Sequence, residues 1–145
     1  MSEDEFWRII EAAKVDRERQ GGDVDRLTAH LTERLRSLPV EEIVSFRCWF
    51  EYMLDRAMTG LVNAAYVLIS DGLGSDDGEL YFRTWLVGQG EILFESAVKS
   101  PDVLADRLYD GATPLEQAEA ETLRYAPSYA CAAKTGLSTR RTDGR

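Results

Sequence analysis

Apolar residues recur with the period of an α-helix along most of the chain. Near the start, the spacing i, i+3, i+4, i+7 is filled by Phe6, Ile9, Ile10 and Ala13. A second stripe of the same kind consists of Leu27, Leu31, Leu35 and Leu38. Gly21–Gly22 separates the two stripes and Pro39 ends the second. Because glycine pairs and proline end helices, the pattern predicts two separate amphipathic helices, the second capped by Asp23.

A third helix is predicted to begin near Pro39, where Glu41 and Glu42 complement the positive end of the helix dipole. Its core face is predicted to contain Ile43, Phe46, Phe50, Met53, Leu54 and Ala57. The next segment, residues 59–74, reads TGLVNAAYVLISDGLG and is apolar on almost all sides. This composition predicts a short helix that is fully buried, followed by a glycine-rich loop.

The longest predicted helix spans about residues 79–99. Asp76 and Glu79 have the spacing of a capping box, which places the start of the helix just before it. On a helical wheel its apolar residues cover a broad arc and its polar residues a narrow wedge, which is typical of a central helix packed on most sides. Gly88 and Gly90 fall on the apolar arc. Glycine costs about 1 kcal/mol in a helix interior, so we expect another helix or a ligand to approach closely there.

The C-terminal part predicts two further helices. Pro101 fits the first turn of a short helix through residues 102–109, and residues 113–116 (TPLE) form a capping box before a last helix that is disturbed at Pro127. No segment shows the alternation of a strand. The predicted fold is therefore all-α, a single compact domain of about six helices around a central buried helix at about 79–99. The domain is predicted to span residues 1–135, with a disordered polar tail at 136–145.

Composition narrows the function classes. The 145 residues carry a formal net charge of −9, which disfavours non-specific binding to nucleic acid or to anionic membranes. No apolar run approaches the roughly 20 residues that span a bilayer, and the acidic start is not a signal peptide. Cys48 and Cys131 show no CxxC motif and are read as free thiols of a cytoplasmic protein. Paired Cys and His ligands and EF-hand spacing are both missing, so we expect neither a metal nor another cofactor.

Two arginines fall on predicted core faces, Arg47 and Arg83. A guanidinium stays charged, so its burial requires a partner. Glu79 stands four residues before Arg83, and Glu51 four residues after Arg47, so one interpretation is a pair of structural ion pairs. The alternative is that both arginines, with Gln89 and nearby carboxylates, line a shared polar pocket. The candidate ligand-binding residues are Arg47, Asn63, Asp76, Asp77, Glu79, Arg83, Trp85 and Gln89.

The segment SDDGELYFRTWLVGQGEILFESAVKSPDVLAD, together with EFWRIIEAAK and DRAMTGLVNAAYVLI, resembles the DUF4240 family, a bacterial family of unknown function. The resemblance covers roughly residues 4–126. It rests on Phe6, Trp7, Ala64, Ala65, Ser75, Asp76, Asp77, Phe82, Arg83, Trp85, Leu86, Gly90, Pro101 and Asp102. Met58 and Val62 stand where the family tends to have tyrosine and tryptophan, and Gly74 where it often has cysteine. The resemblance implies a fold and the location of a site, but no reaction.

Two classes of function remain open. The first is a non-catalytic binding or regulatory module that recognises a partner protein or a small anionic ligand near Arg47 and Arg83. The second is an enzyme that uses Asp76, Asp77 or Glu79 for acid–base chemistry, with Arg83 orienting the substrate. The first is favoured because the catalytic inventory is small, with a single histidine at position 30. The accessibility of Arg83 distinguishes a site from a structural ion pair.

Overall fold

The computed structural model describes residues 1–21, 24–72, 74–105 and 120–136, and all regular structure in these ranges is helical. The α-helices are α1 (Glu3–Gln20), α2 (Val24–Arg36), α3 (Val40–Arg56), α4 (Gly60–Ile69), α5 (Asp76–Gly88), α6 (Glu91–Lys99) and α7 (Ala126–Thr135). Short 3-10 helices span Pro101–Leu104 and Glu121–Tyr125. The all-α, single-domain prediction is confirmed. The predicted cap Asp23, the predicted capping box at 113–116 and most of the predicted tail lie outside the described residues.

Side-chain caps explain where several helices begin. Ser2 and Glu5 form a reciprocal capping box at the start of α1, with bonds of 3.2 and 2.7 Å. The hydroxyl of Ser75 accepts a bond of 3.0 Å from the backbone N–H of Gly78 at the start of α5. The prediction that Asp76 caps this helix is therefore wrong by one residue. Ser75 has the extended backbone that a cap requires, whereas Asp76 is already helical.

One continuous apolar core holds the helices together. Aromatic rings of α1 and α3 meet in it, with the centroids of Phe6 and Phe46 4.9 Å apart. The indole of Trp7 extends this cluster to Phe94 of α6, at 5.3 Å. Helix α2 packs between α1 and α7 through its leucines. The amphipathic stripes predicted for α1, α2 and α3 therefore face the core.

The predicted helix at 79–99 is two helices. Helix α5 ends at Gly88, and α6 begins at Glu91 after a turn at Gly90 with φ 94° and ψ 170°. This backbone region is open almost only to glycine. The ammonium of Lys14 in α1 donates a bond of 2.7 Å to the carbonyl of Gln89, at the negative end of α5. The apolar spacing runs nearly unbroken across the turn, which is why periodicity alone predicts one helix. The central buried element is α5, whose residues 82–88 are all buried.

Gly88 is a site of close approach, but by side chains rather than by the helix backbone or the ligand that the sequence predicts. A β-carbon at this position would lie 2.6 Å from the side chain of Leu123 and 3.4 Å from that of Leu27. The neighbours are therefore leucine side chains from the 121–125 helix and α2. The small volume of Gly88 lets both pack onto α5.

Helix α4 is not fully buried, contrary to the prediction. Val62 and Tyr66 point into the core, whereas Leu61 and Leu68 are 62% and 66% exposed. A helix that is apolar all round normally has neighbours all round. Here the described residues cover only one of its two apolar faces.

Two smaller differences concern the C-terminal part. The helix predicted for residues 102–109 is a 3-10 helix over Pro101–Leu104 in the described region. The predicted last helix is divided into the 121–125 3-10 helix and α7. Pro127 lies in the first turn of α7, where its missing N–H leaves no carbonyl unpaired, so it marks a helix start rather than a disturbance.

The turn at Gly90 generates a prediction. A β-carbon there would collide with the carboxylate of Glu11, and an L-residue would be strained at this φ. We expect Gly90→Ala to lower the free energy of unfolding by about 1–3 kcal/mol, measured by urea denaturation. Gly60→Ala is the matched control, because a β-carbon at Gly60 meets no atom within 4 Å. Equal stability of the two variants would contradict the role of the turn.

Candidate functional site

The acidic residues at the start of α5 surround its N-terminus. Asp76 and Asp77 are exposed, and Glu79 is half-buried. All three lie in the first turn, where the unpaired backbone N–H groups favour negative charge. Their placement is explained by the helix dipole and needs no ligand.

Arg83 is enclosed, with 6% of its surface exposed. Its Nε donates to the carboxylate of Glu79 at 2.8 Å, and its Nη1 donates to the backbone carbonyl of Leu54 at 2.9 Å. Leu54 is in the last turn of α3, where carbonyls lack partners within the helix. Arg83 therefore joins α5 to the negative end of α3 and satisfies an otherwise unpaired carbonyl. The prediction that Arg83 is enclosed and bonded to a carboxylate of the 76–79 turn is confirmed.

Arg47 is exposed on α3, so the prediction that it faces the core is wrong. It stands four residues after the buried Ile43 and three before the buried Phe50, at the edge of the buried arc. Its long side chain reaches solvent from that edge, which avoids desolvating the charge. Spacing alone does not distinguish the edge of an arc from its centre.

The remaining candidates lie apart from Arg47. Trp85 is buried and stacks on Phe82 with centroids 5.7 Å apart, so it belongs to the core. Gln89 is half-buried at the turn after α5, and Asn63 is exposed on α4. Among the eight candidates the structure joins Glu79 and Arg83 by a direct bond. Neither of the two grooves described below is lined by any of the eight.

The groove that sequence reasoning missed lies between α4 and the 101–104 helix, with a volume of about 260 Å³. It is lined by Leu61, Ala64, Ala65, Leu68, Ile69, Pro101, Asp102, Leu104 and Ala105. The α4 residues 61, 64, 65 and 68 follow the spacing i, i+3, i+4, i+7, which is the signature of a second packing face. That spacing was available in the sequence. The prediction that α4 is buried on all sides does not distinguish this face from the inner one.

The surroundings of this groove are acidic. Residues 57–105 contain seven acidic residues, namely Asp71, Asp76, Asp77, Glu79, Glu91, Glu95 and Asp102. The same range contains two basic residues, Arg83 and Lys99, and Arg83 is buried against Glu79. Glu79 and Glu95 are paired with Arg83 and Arg56, and Asp102 lines the groove, so a ligand of this face meets apolar side chains and the carboxylate of Asp102.

Arg56 and Glu95 form a second ion pair that joins α3 to a later helix, in this case α6. The guanidinium donates two bonds to the carboxylate, of 2.6 and 2.9 Å, and lies over the ring of Phe94 at 5.5 Å from its centroid. The bonds from Arg56 lower the pKa of Glu95, against a smaller opposing effect of burial. Arg83 thus holds α5 to the end of α3, and Arg56 holds α6 to it.

The described residues offer little for catalysis. His30 lies on α2, which packs against α1 and α7, and its buried Nε2 has no hydrogen-bond partner in the described ranges. No group of three potential metal ligands is found in the part of the chain that the structure describes. No helix in that part is long and apolar enough to cross a bilayer.

Comparison with known proteins identifies a family. The family described as "Protein of unknown function (DUF4240)" matches residues 1–133 of the 145-residue chain, which confirms the resemblance noted from the sequence. No curated protein and no solved structure matches the chain significantly. The description of the family specifies neither a reaction nor a ligand.

Arg83 generates the first prediction of this section. Removing one partner of a buried ion pair leaves the other charge without compensation, so Arg83→Ala is expected to lower the free energy of unfolding by at least about 2 kcal/mol in urea. Arg83→Lys should recover only part, because an ammonium does not reproduce the two directed bonds to Glu79 and Leu54. The exposed Arg47 provides the control, and Arg47→Ala should change stability by less than about 0.5 kcal/mol. Equal melting of the two alanine variants would show that the Arg83 contacts contribute nothing.

The Arg56–Glu95 pair predicts a pH dependence. A carboxyl whose pKa is lowered in the folded state stabilises it above the ordinary pKa of 4.5, and this contribution is lost as the pH falls through the folded-state value. Glu95→Gln is therefore expected to be less stable than the parent at neutral pH, by about 1 kcal/mol or less for a partly exposed pair. The difference should decrease as the pH falls below 4.5 and the carboxyl of Glu95 becomes protonated in the folded state. Urea melts across pH measure it, with Glu51→Gln as the control, because Glu51 is exposed in the middle of α3. A difference that persists in acid would assign the effect to packing.

Proposed function

We propose that this chain, which belongs to the DUF4240 family, is a non-catalytic binding module that recognises a partner protein. The observation that carries the proposal is the exposed apolar stripe of α4, with Leu61 and Leu68 62% and 66% exposed beside the groove. Large exposed apolar side chains grouped around a concave surface are typical of interaction sites. The occupant we propose is an amphipathic helix of the partner with a basic polar face.

The shape of the groove supports a helix. Ala64 and Ala65 lie between Leu61 and Leu68, so a partner helix can approach the axis of α4 closely in the middle of the stripe. The volume of about 260 Å³ is below the roughly 300 Å³ at which pockets for small molecules begin. It suits a few apolar anchor side chains at helical spacing.

The charge of the surroundings supports a basic partner. Asp102 lines the groove itself, and Asp71 follows the C-terminal end of α4. Opposite charge at the rim increases the rate of association and excludes acidic competitors. The free thiols of Cys48 and Cys131 support a reducing, cytoplasmic setting for this interaction.

The alternatives have less support. A small anion bound at Arg83, or a substrate oriented by it, would have to replace the bonds that Arg83 makes to Glu79 and Leu54. Doing so would leave Glu79 or the carbonyl of Leu54 without its partner. Because Arg83 is bonded to Glu79, it does not provide a free cationic group beside the exposed Asp76 and Asp77 for acid–base chemistry.

The test uses a model peptide. A helical peptide with leucines at i, i+3, i+4, i+7 and lysines on its other face is titrated against the protein, and its affinity is measured by fluorescence polarisation. We expect backbone amide shifts in residues 60–69 and 101–105 by NMR. The double variant Leu61→Ser, Leu68→Ser should lose at least about tenfold in affinity, because two leucine contacts are removed. Its stability should change little, since both side chains are exposed.

Matched controls make the test specific. Ile92 is 85% exposed and does not line the groove, so Ile92→Ser should leave the affinity unchanged. A peptide with the same composition and scrambled spacing should bind weakly, as should one with glutamate in place of lysine. Equal binding of the scrambled peptide would contradict the proposal. So would a dimer that the double variant abolishes, or photo-crosslinks from position 68 to residues 106–119 of the same chain, because each assigns the groove to another occupant.

A further inference from the structure

A second groove, of about 340 Å³, lies on the outer face of α3. It is lined by Ser45, Cys48, Trp49 and Tyr52 of α3 and by Glu3 of α1. The α3 residues follow the spacing i, i+3, i+4, i+7 and form a second face of the helix, with Glu41 one turn before it and Arg56 one turn after it. None of these residues lines the α4 groove, so the inference drawn from them is independent of the proposed function.

Two aromatic rings form walls of this groove. The planes of Trp49 and Tyr52 meet at 78°, with centroids 5.7 Å apart. The indole N–H of Trp49 donates a bond of 3.0 Å to the carbonyl of Met1, which fixes the orientation of the ring. Tyr52 is 52% exposed, so part of its ring is accessible to a ligand. One wall is therefore held in place and the other is open to a ligand.

The charge around the groove is negative. Glu3 lines the groove and makes no salt bridge with any described residue, although the guanidinium of Arg56 lies close enough to interact with it electrostatically. The neighbouring cations are both neutralised: Arg56 by two bonds to Glu95, and the α-ammonium of Met1 by Glu42 at 3.6 Å. The local field therefore favours a positively charged ligand.

We infer that this groove binds an alkylammonium cation, the group presented by lysine side chains, by their N-methylated forms and by small quaternary amines. The faces of aromatic rings attract cations, and tryptophan does so most strongly. Trp49 and Tyr52 both line the groove, so a rounded ammonium that enters it can contact both rings. Glu3 supplies the opposite charge. An ammonium with methyl groups binds water weakly, so it loses little when the groove takes the place of that water.

The first experiment titrates choline chloride into the protein and follows the indole N–H resonances by NMR, with sodium chloride at the same ionic strength as the reference. Trp7 and Trp85 are buried, so their resonances serve as internal controls. We expect a saturable shift of the Trp49 resonance with a millimolar dissociation constant. The neutral isostere 3,3-dimethyl-1-butanol, which has the same shape without the charge, should not produce it.

Variants then assign the contacts. Tyr52→Ala and Glu3→Gln should each weaken choline binding about two- to fivefold, the effect of one cation–π or one partly exposed charge contact. Tyr129→Ala provides the control, because Tyr129 is another exposed aromatic residue outside the groove. A peptide with trimethyllysine, compared with choline, distinguishes a side-chain ligand from a free amine.

Three results would overturn the inference. The first is equal binding of choline and its neutral isostere, which would make the groove a general apolar surface. The second is an unchanged affinity in both Tyr52→Ala and Glu3→Gln. The third is the absence of a saturable shift of the Trp49 resonance with choline and also with the trimethyllysine peptide. The variant Leu61→Ser, Leu68→Ser should bind choline like the parent, which keeps this test separate from that of the α4 groove.

Discussion

A buried guanidinium cannot lose its proton, and this constraint organises the middle of the molecule. Arg83 lies inside the core because the carboxylate of Glu79 compensates its charge and accepts a bond from its Nε, and the carbonyl of Leu54 in the last turn of α3 accepts a bond from its Nη1. The same contacts fix where α5 crosses α3. Once α5 is held there, the chain must turn at Gly90 for α6 to return along the core, and Lys14 of α1 stabilises the carbonyl at that turn. Arg56 and Glu95 then hold α6 to α3 from the other side.

This use of charge has a consequence for function. Several of the candidate polar residues of the sequence stabilise the ends of helices. Ser75 caps α5, the adjacent aspartates complement its dipole, and Arg83 donates a bond to a carbonyl at the end of α3. A ligand that displaced the bonds among these residues would leave their polar groups unpaired, and the protein would lose stability. In the part of the chain that the structure describes, the two grooves lie on apolar or aromatic surfaces. They are the outer faces of α4 and α3, each beside a carboxylate, Asp102 in one case and Glu3 in the other.

The two outer faces illustrate how an amphipathic helix can carry two apolar stripes. In α3 the stripe with Phe46 and Phe50 faces the core, and the stripe with Trp49 and Tyr52 does not. In α4 the inner stripe includes Val62 and Tyr66, and the outer one Leu61 and Leu68. Burying these outer residues would be favourable, and the described residues do not bury them. This is the physical reason to expect binding partners on both faces.

The sequence by itself determined the all-α class, the core stripes of α1, α2 and α3, and the i, i+4 spacing that allows Glu79 to pair with Arg83, because these depend on spacing within one helix. Only the tertiary structure decided the rest. Whether Arg47 lies inside or at the edge of its arc depends on which neighbours pack against α3. Whether residues 79–99 form one helix depends on the turn that α1 stabilises at Gly90, and an apolar stripe such as that of α4 is buried only if another element covers it. Periodicity reports which residues share a face, whereas contacts between distant segments decide what each face meets.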